Sequence, residues 1–214
     1  MEVLDKIKAS RFELEEGSSS WSSPSNIAMI KYWGKFDGQI PANPSLSFSL
    51  DNCKTETIVD YSLGKSNGVS IDFQFEGNTN SLFEGKIVKY LNVISEFLPF
   101  LNDLHLSIKS SNTFPHSSGI ASSASSMSAL ALNLTSIYND VATDKLDERE
   151  FLQFSSFLSR LGSGSACRSI YGGFTIWGKS KFFEGSSDLF AVSMEDEFIS
   201  PVFNSLCDDI LILS

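Results

Sequence analysis

Apolar and polar residues alternate along several segments as they do in half-buried strands. Leu46, Phe48 and Leu50 share one face of SLSFSL, and Val69, Ile71, Phe73 and Phe75 share one face of GVSIDFQF. Thr57, Val59 and Tyr61 continue the first pattern, Leu104, Leu106 and Ile108 give another short strand, and YGGFTIW and DILIL read as strands late in the chain. Three stretches switch to helical spacing. Lys86 to Leu98 carries Ile87, Leu91, Ile94 and Leu98 and stops at Pro99; Ile120 to Tyr138 carries Ile120, Ala124, Met127, Ala131, Leu134 and Tyr138. The third starts near Asp147, turns Phe151, Phe154, Leu158 and Leu161 inward and ends at Gly162. Strands, helix, strand, helix, helix, strand predict an α+β fold and not an alternating parallel sheet. There is no internal repeat, and SSSWSSPS (Ser18 to Ser25) is the one low-complexity patch. A buried strand that starts at DILIL with no return element is expected of a truncated polypeptide.

Composition narrows the partners. The 214 residues are 42% hydrophobic and 20% charged, enough for one large domain, or one plus part of another. The 26 acidic against 16 basic residues give −10, which offers nucleic acid or an anionic membrane no overall attraction, so a phosphate-bearing ligand needs a local cluster of donors. No apolar run approaches the ~18 residues of a membrane span, and MEVLDKIKAS lacks a signal-peptide core. Cys53, Cys167 and Cys207 form no CxxC pair, which argues against a disulfide framework or zinc knuckle and for a reducing cytosol. His105 and His116 are too few for a multi-histidine metal site. Serine supplies 39 positions, yet 18 Phe and 3 Trp argue against disorder. Hydroxyls beside glycine backbone suit an anion, because both offer donors without bulk.

Three motifs carry candidate chemistry. In SPSNIAMIKYWGK (Ser23 to Lys35), Lys31 and Lys35 flank Tyr32 and Trp33, and in a strand the two lysines would share a face. They read either as a cationic clamp for a phosphorylated ligand or as an edge strand with solvated lysines. In NTFPHSSGIASSASSMSALAL (Asn112 to Leu132), a loop with Pro115 and Gly119 enters a helix whose first turns hold Ser122, Ser123, Ser125 and Ser126. Free N–H groups, the helix dipole and the hydroxyls favour a phosphate there, against the plainer reading of a serine cap. In RLGSGSACRSIYGG (Arg160 to Gly173), Ser163 and Ser165 alternate with Gly162 and Gly164 ahead of Arg168, a turn fit for a carboxylate or phosphate. Cys167 reads as a small buried thiol. GFTIWGKS (Gly173 to Ser180) fits the Walker A spacing, but Phe174, Thr175, Ile176 and Trp177 are strand formers and no helix start follows, so the match is treated as chance.

NIAMIKYWGK, the NxFPxxxGIASSAS loop and GSGSACRSIYGGF, in that order, resemble the diphosphomevalonate decarboxylases of the GHMP kinase superfamily, and PANPSLSFSL resembles the strand that follows the first motif. The resemblance implies a GHMP-kinase-type N-terminal domain, of the ribosomal protein S5 domain 2-like kind, over residues 1–185. Residues 186–214 would then be a linker and the first strand of a largely missing C-terminal domain. It implies ATP- and Mg2+-dependent decarboxylation of (R)-5-diphosphomevalonate to isopentenyl diphosphate, for isoprenoid biosynthesis, in a cytoplasmic protein that is a homodimer at full length. The tertiary 3-hydroxyl is phosphorylated, phosphate departs, and the carboxylate is lost as CO2.

Carried over by position, Ser122 and Ser123 resemble the ATP-phosphate loop, with Asn112, Ser118, Gly119 and Ser125 beside them and Ser123 at the catalytic serine. Tyr32 and Lys35 resemble the diphosphate pair, with Trp33 and Gly34 between them, and Lys31 resembles a nearby active-site lysine. Ser163, Gly164, Ser165, Ala166 and Cys167 resemble the substrate turn, Arg168 the carboxylate grip, and Lys86 a basic diphosphate ligand. No protein metal ligand is expected. The three stretches should converge on one hollow. The family's catalytic aspartate in a DAGPN-like segment has no counterpart here, which predicts a polypeptide with little or no activity of its own. His116-Ser117-Ser118 replaces the commoner Thr-Ala-Ala. Competing readings are a small-molecule kinase such as a mevalonate 3-kinase, a non-catalytic diphosphate-binding module, and a serine or cysteine hydrolase acting through Ser163, Ser165 or Cys167.

Overall fold

The computed structural model describes residues 2–64, 68–115 and 119–209. In chain order these form α1 (Glu2–Ala9), β1 (Gly17–Ile30), β2 (Lys35–Phe36), β3 (Ile40–Pro41), β4 (Ser45–Leu63), β5 (Ser70–Phe75) and β6 (Asn78–Thr79). There follow α2 (Ser81–Ile94), β7 (Leu104–Asn112), α3 (Ser122–Val141), α4 (Glu148–Gly162), β8 (Phe174–Trp177) and β9 (Ala191–Ser193). Helices pack on a mixed sheet, as the α+β order predicts. The sheet runs β6-β5-β7-β4-β8-β9, with β1 laid along β4. Strand β4 is the spine: β1 is antiparallel to it throughout, β7 pairs with Thr55–Leu63, and β8 pairs with Ser45–Phe48. Because β1 pairs only with β4 among the described residues, Pro24 can sit at its bulge without breaking a ladder on the other side.

Two halves of the sheet have different interiors. Val59, Tyr61, Phe73, Leu104, Leu106 and Ile108 meet Leu91, Ile94, Leu134, Tyr138, Phe154 and Leu158 in an apolar core, as their spacing predicts. The first half of β4 has the expected period but the opposite polarity. Ser45 and Ser47 are fully buried while Leu46, Phe48 and Leu50 are half-buried. The reason lies in their neighbours. Ser47 bonds Thr175 at 2.9 Å, Ser45 donates to Ile30 O at 2.6 Å, and the Ser23 hydroxyl lies 2.7 Å from both Ser128 Oγ and Ser169 O. Part of the serine surplus is therefore an internal hydrogen-bonded seam rather than an anion site.

Helix boundaries differ where apolar spacing is silent. Helix α2 opens five residues before Lys86, where Asn80 Oδ1 caps Phe83 N at 3.1 Å, and ends at Ile94; Leu98 lies beyond it, fully buried. Helix α4 starts as expected, on a reciprocal capping box between Asp147 and Glu150. Helix α1, with only Val3 and Ile7 buried, is too short to have been read from periodicity. Strand β9 pairs with β8, so the sheet runs past the boundary expected at residue 185. Most of the DILIL stretch, 210–213, lies outside the described residues.

The Walker-like stretch is strand β8, with Thr175, Ile176 and Trp177 buried. Gly178, just after it, holds φ +104°, and a Cβ there would lie 2.9 Å from Pro44 Cα. Gly178→Ala is thus expected to destabilise the fold by about 2–3 kcal/mol, read as a lower urea midpoint at unchanged m-value.

Candidate active site

Strand β1 ends at Ile30, so Lys31 and Lys35 do not share a strand face. Asn43 organises the connection instead: its Oδ1 accepts from Trp33 N at 2.8 Å, and its Nδ2 donates to Lys31 O at 3.0 Å and Pro44 O at 2.8 Å. The β2–β3 hairpin that follows presents Lys35. Its Nζ donates to Gln39 Oε1 at 2.6 Å and stands 5.3 Å from the Tyr32 ring centre. Lys31 and Trp33 are exposed, Trp33 at 88%, and Gly34 O accepts from Ala42 N at 2.9 Å to fix the turn.

The third motif folds as the end of α4 and a 3-10 turn over Gly164–Ile170. Ser163 Oγ and Ser165 Oγ are 3.4 Å apart. A Cβ on Gly164 would lie 3.0 Å from Trp177, 3.3 Å from Gln39 Oε1 and 3.4 Å from Lys35 Nζ, so the turn meets the hairpin at close range and a side chain there would press on all three. Tyr32 closes the group, edge-on to Trp177 at 5.0 Å. Arg168 is buried to 2% exposure. Its Nε donates to Asn26 Oδ1 at 3.3 Å, one terminal nitrogen donates to Ser45 Oγ, and the guanidinium lies 5.8 Å from the Tyr32 ring centre. Burial lowers its pKa, but a guanidinium stays charged. Among the described residues, no carboxylate lies within ion-pairing distance of it. A buried cation served only by neutral acceptors retains most of its desolvation cost and suits an incoming anion.

Ala166 and Cys167 are buried frame. The Cys167 thiol donates to Gly164 O at 3.0 Å, and burial pushes its pKa to about 12, which disarms it as a nucleophile. His105 sits elsewhere, on the β5–β7 pair, with Nδ1 2.9 Å from Ser70 Oγ and Nε2 3.3 Å from Asp72. A hydrolase built on Ser163, Ser165 or Cys167 thus has no base from His105; His116 lies outside the described residues, as do Ser117 and Ser118.

The second motif forms a separate hollow. A cavity of about 320 Å³ is lined by Lys86, Asn112, Ser122 and Ser123 together with Phe73, Phe75 and Phe83. Helix α3 starts there without a side-chain cap, after Ala121 at φ +27° and Gly119 at φ +81°. Asn112 Nδ2 is buried with no partner, while its Oδ1 accepts from Thr55 at 2.8 Å. Ser122 is half-buried and Ser123 exposed. Ser125 is fully buried, 2.7 Å from Thr55 Oγ1, and fastens α3 to β4. Lys86 Nζ stands 5.7 Å from the Phe83 ring centre.

The first and third motifs are therefore in contact, and the second joins them through β1. Ser25 donates to Ile120 O at 3.0 Å on the α3 side, and Asn26 Nδ2 donates to Ser165 O at 3.2 Å and Ser169 Oγ at 2.7 Å on the other. The cavity at α3 includes neither Lys35 nor Arg168. Asn26, Gln39, Asn43, Ser45 and Trp177 belong to the site and were not singled out in the sequence. Asn26, Asn43, Ser45 and Trp177 stand inside the quoted stretches; Gln39 carries no sequence signal.

The family of diphosphomevalonate decarboxylase-like N-terminal domains matches residues 23–190. The diphosphomevalonate decarboxylase of Ganoderma lucidum is 37% identical over 180 residues, 78% of this chain and 43% of that protein. The solved structure of the mevalonate diphosphate decarboxylase from Enterococcus faecalis has a TM-score of 0.68 at 34% identity, covering 86% of this chain and 53% of that one. A structure of MDDEF in complex with MVAPP, AMPPCP and magnesium has a TM-score of 0.67 at 34% identity, covering 86% and 52%. The chain spans about half the length of the relatives it matches. It belongs to the diphosphomevalonate decarboxylase-like N-terminal domain family.

Proposed function

We propose that this chain supplies the substrate-holding half of an ATP-dependent decarboxylase acting on (R)-5-diphosphomevalonate. The observation that carries the reading is Arg168: a buried guanidinium held by Asn26 and Ser45, unpaired by any carboxylate among the described residues. It stands one turn from Ser163 and Ser165, and both it and Lys35 lie against Tyr32. Arg168 grips the substrate carboxylate, while Lys35, Tyr32, Ser163 and Ser165 hold the diphosphate. Lys31, Trp33 and Gly34 complete that wall, Gly164 admits the hairpin, and Ala166 and Cys167 support the turn from beneath.

Nucleotide phosphates fit the head of α3, where uncapped N–H groups, the unpaired Asn112 amide, Ser122, Ser123 and Lys86 all offer donors. ATP supplies the phosphoryl group. Among the described residues there is no cluster of acidic, histidine or cysteine side chains to hold a metal, so Mg2+ would ride on phosphate oxygens and water. Ser123 is the catalytic serine of this reading, and Ser125 acts only by anchoring the helix. Three free cysteines suit a reducing cytosol.

The test is calorimetric titration of the chain. Diphosphomevalonate should bind at least about tenfold more tightly than unphosphorylated (R)-mevalonate, because the lysine and serine donors serve only the former. Equal affinities would remove the assignment.

A further inference from the structure

Near the end of α4, Arg160 is 2% exposed, yet none of the carboxylates among the described residues lies within ion-pairing distance of it. Its donors run to backbone oxygens instead: Nε to Leu189 O at 2.7 Å and a terminal nitrogen to Gly38 O. Its ring neighbour is Phe157, 5.3 Å away, and Asp188 acts on it only electrostatically. An aliphatic side chain would fill this space without burying a charge. What the guanidinium adds is a hold on the turn between β2 and β3. That turn needs one, because Gly38 and Gln39 both adopt left-handed φ, +68° and +61°, a strained region for glutamine. Gln39 Oε1 then accepts from Lys35 Nζ at 2.6 Å and lies 3.3 Å from where a Gly164 Cβ would stand.

We propose that Arg160 and Gln39 are positioning residues for the diphosphate lysine. Arg160 holds the Gly38 carbonyl, the held turn aims the Gln39 amide, and the amide sets Lys35 Nζ over the Ser163–Ser165 turn. The proposal rests on the reading of Lys35 as a diphosphate donor. It assigns roles to two side chains that never touch the reacting atoms.

Titration with (R)-5-diphosphomevalonate tests it in the parent chain, R160K, Q39G, K35A, R160K/K35A and Q39G/K35A. R160K keeps the charge but loses the forked grip; Q39G removes the amide at a backbone position that suits glycine, and decides the matter alone if R160K does not fold. Each is expected to weaken binding about tenfold, and neither should weaken it further once Lys35 is already alanine. Parent-like affinity in folded R160K and Q39G, or losses that multiply with that of K35A, would overturn the proposal. Parent-like affinity in K35A would overturn the diphosphate reading of Lys35 itself, and this proposal with it.

Discussion

Arg168→Met is expected to bind (R)-5-diphosphomevalonate about 100-fold more weakly than the parent chain while losing almost no stability. The two halves of that result have separate causes. In the site, a buried guanidinium facing a carboxylate contributes about 3 kcal/mol, and each 1.4 kcal/mol is a factor of ten. In the free fold, the same guanidinium bonds only Asn26 Oδ1 and Ser45 Oγ and meets no carboxylate among the described residues. Methionine relieves the desolvated charge at the expense of an unpartnered Asn26 oxygen, a cost of ~1–3 kcal/mol that offsets much of the gain. Ser45 keeps its bond to Ile30 O at 2.6 Å. Titration and thermal unfolding of one preparation check both halves. A variant that melts far below the parent would make Arg168 a structural residue, and one that binds normally would deprive the site of its carboxylate grip.

Trp177→Ala is expected to produce the largest loss of stability, about 3–5 kcal/mol, a fall in Tm of roughly 10 °C for a chain of this size. Trp177 is fully buried against Cys167 and Ala191, donates from its indole nitrogen to Asp188 O at 3.0 Å, and forms the wall behind Tyr32. Removing it opens a cavity under both the 164–170 turn and the Tyr32 ring. Substrate affinity should fall together with Tm, whereas Trp177→Phe should recover most of the stability and part of the affinity. Unfolding curves for the pair, followed by titration below the lower Tm, measure this. Equal Tm for the alanine variant and the parent would mean that Trp177 does not support this end of the sheet.

Much of this was legible in the sequence, and the illegible parts share a physical origin. The apolar core could be read because Leu104, Leu106, Ile108, Leu91 and Ile94 repeat at the periods of strand and helix. The three motif stretches could be read because glycines, hydroxyls and cations crowd together there at a density that capping alone does not require. The buried hydroxyls of β1 and β4 could not. Ser45 and Ser47 alternate with Leu46 and Phe48, and a polar member of an alternating strand reads as the solvent face unless its partners, Thr175 and Arg168, are known to stand opposite. Ser125 misleads in the same way, since its role depends on Thr55, seventy positions earlier. Gln39 was invisible because a left-handed glutamine leaves no trace in composition or spacing.

Strand β4 carries Ser45 beside Arg168 near its start and Thr55 beside Asn112 and Ser125 further along. Both halves of the proposed binding region are thus mounted on one strand, laddered to β1 on one flank and to β8 and β7 on the other, with Leu50 to Cys53 left out of these ladders between them. The ladders break between the two halves, where β1 passes from Lys54 to Ser49 across Pro24 to Asn26. The spacing between the two proposed halves is therefore set across four unladdered residues of β4, the place along that strand where it can bend.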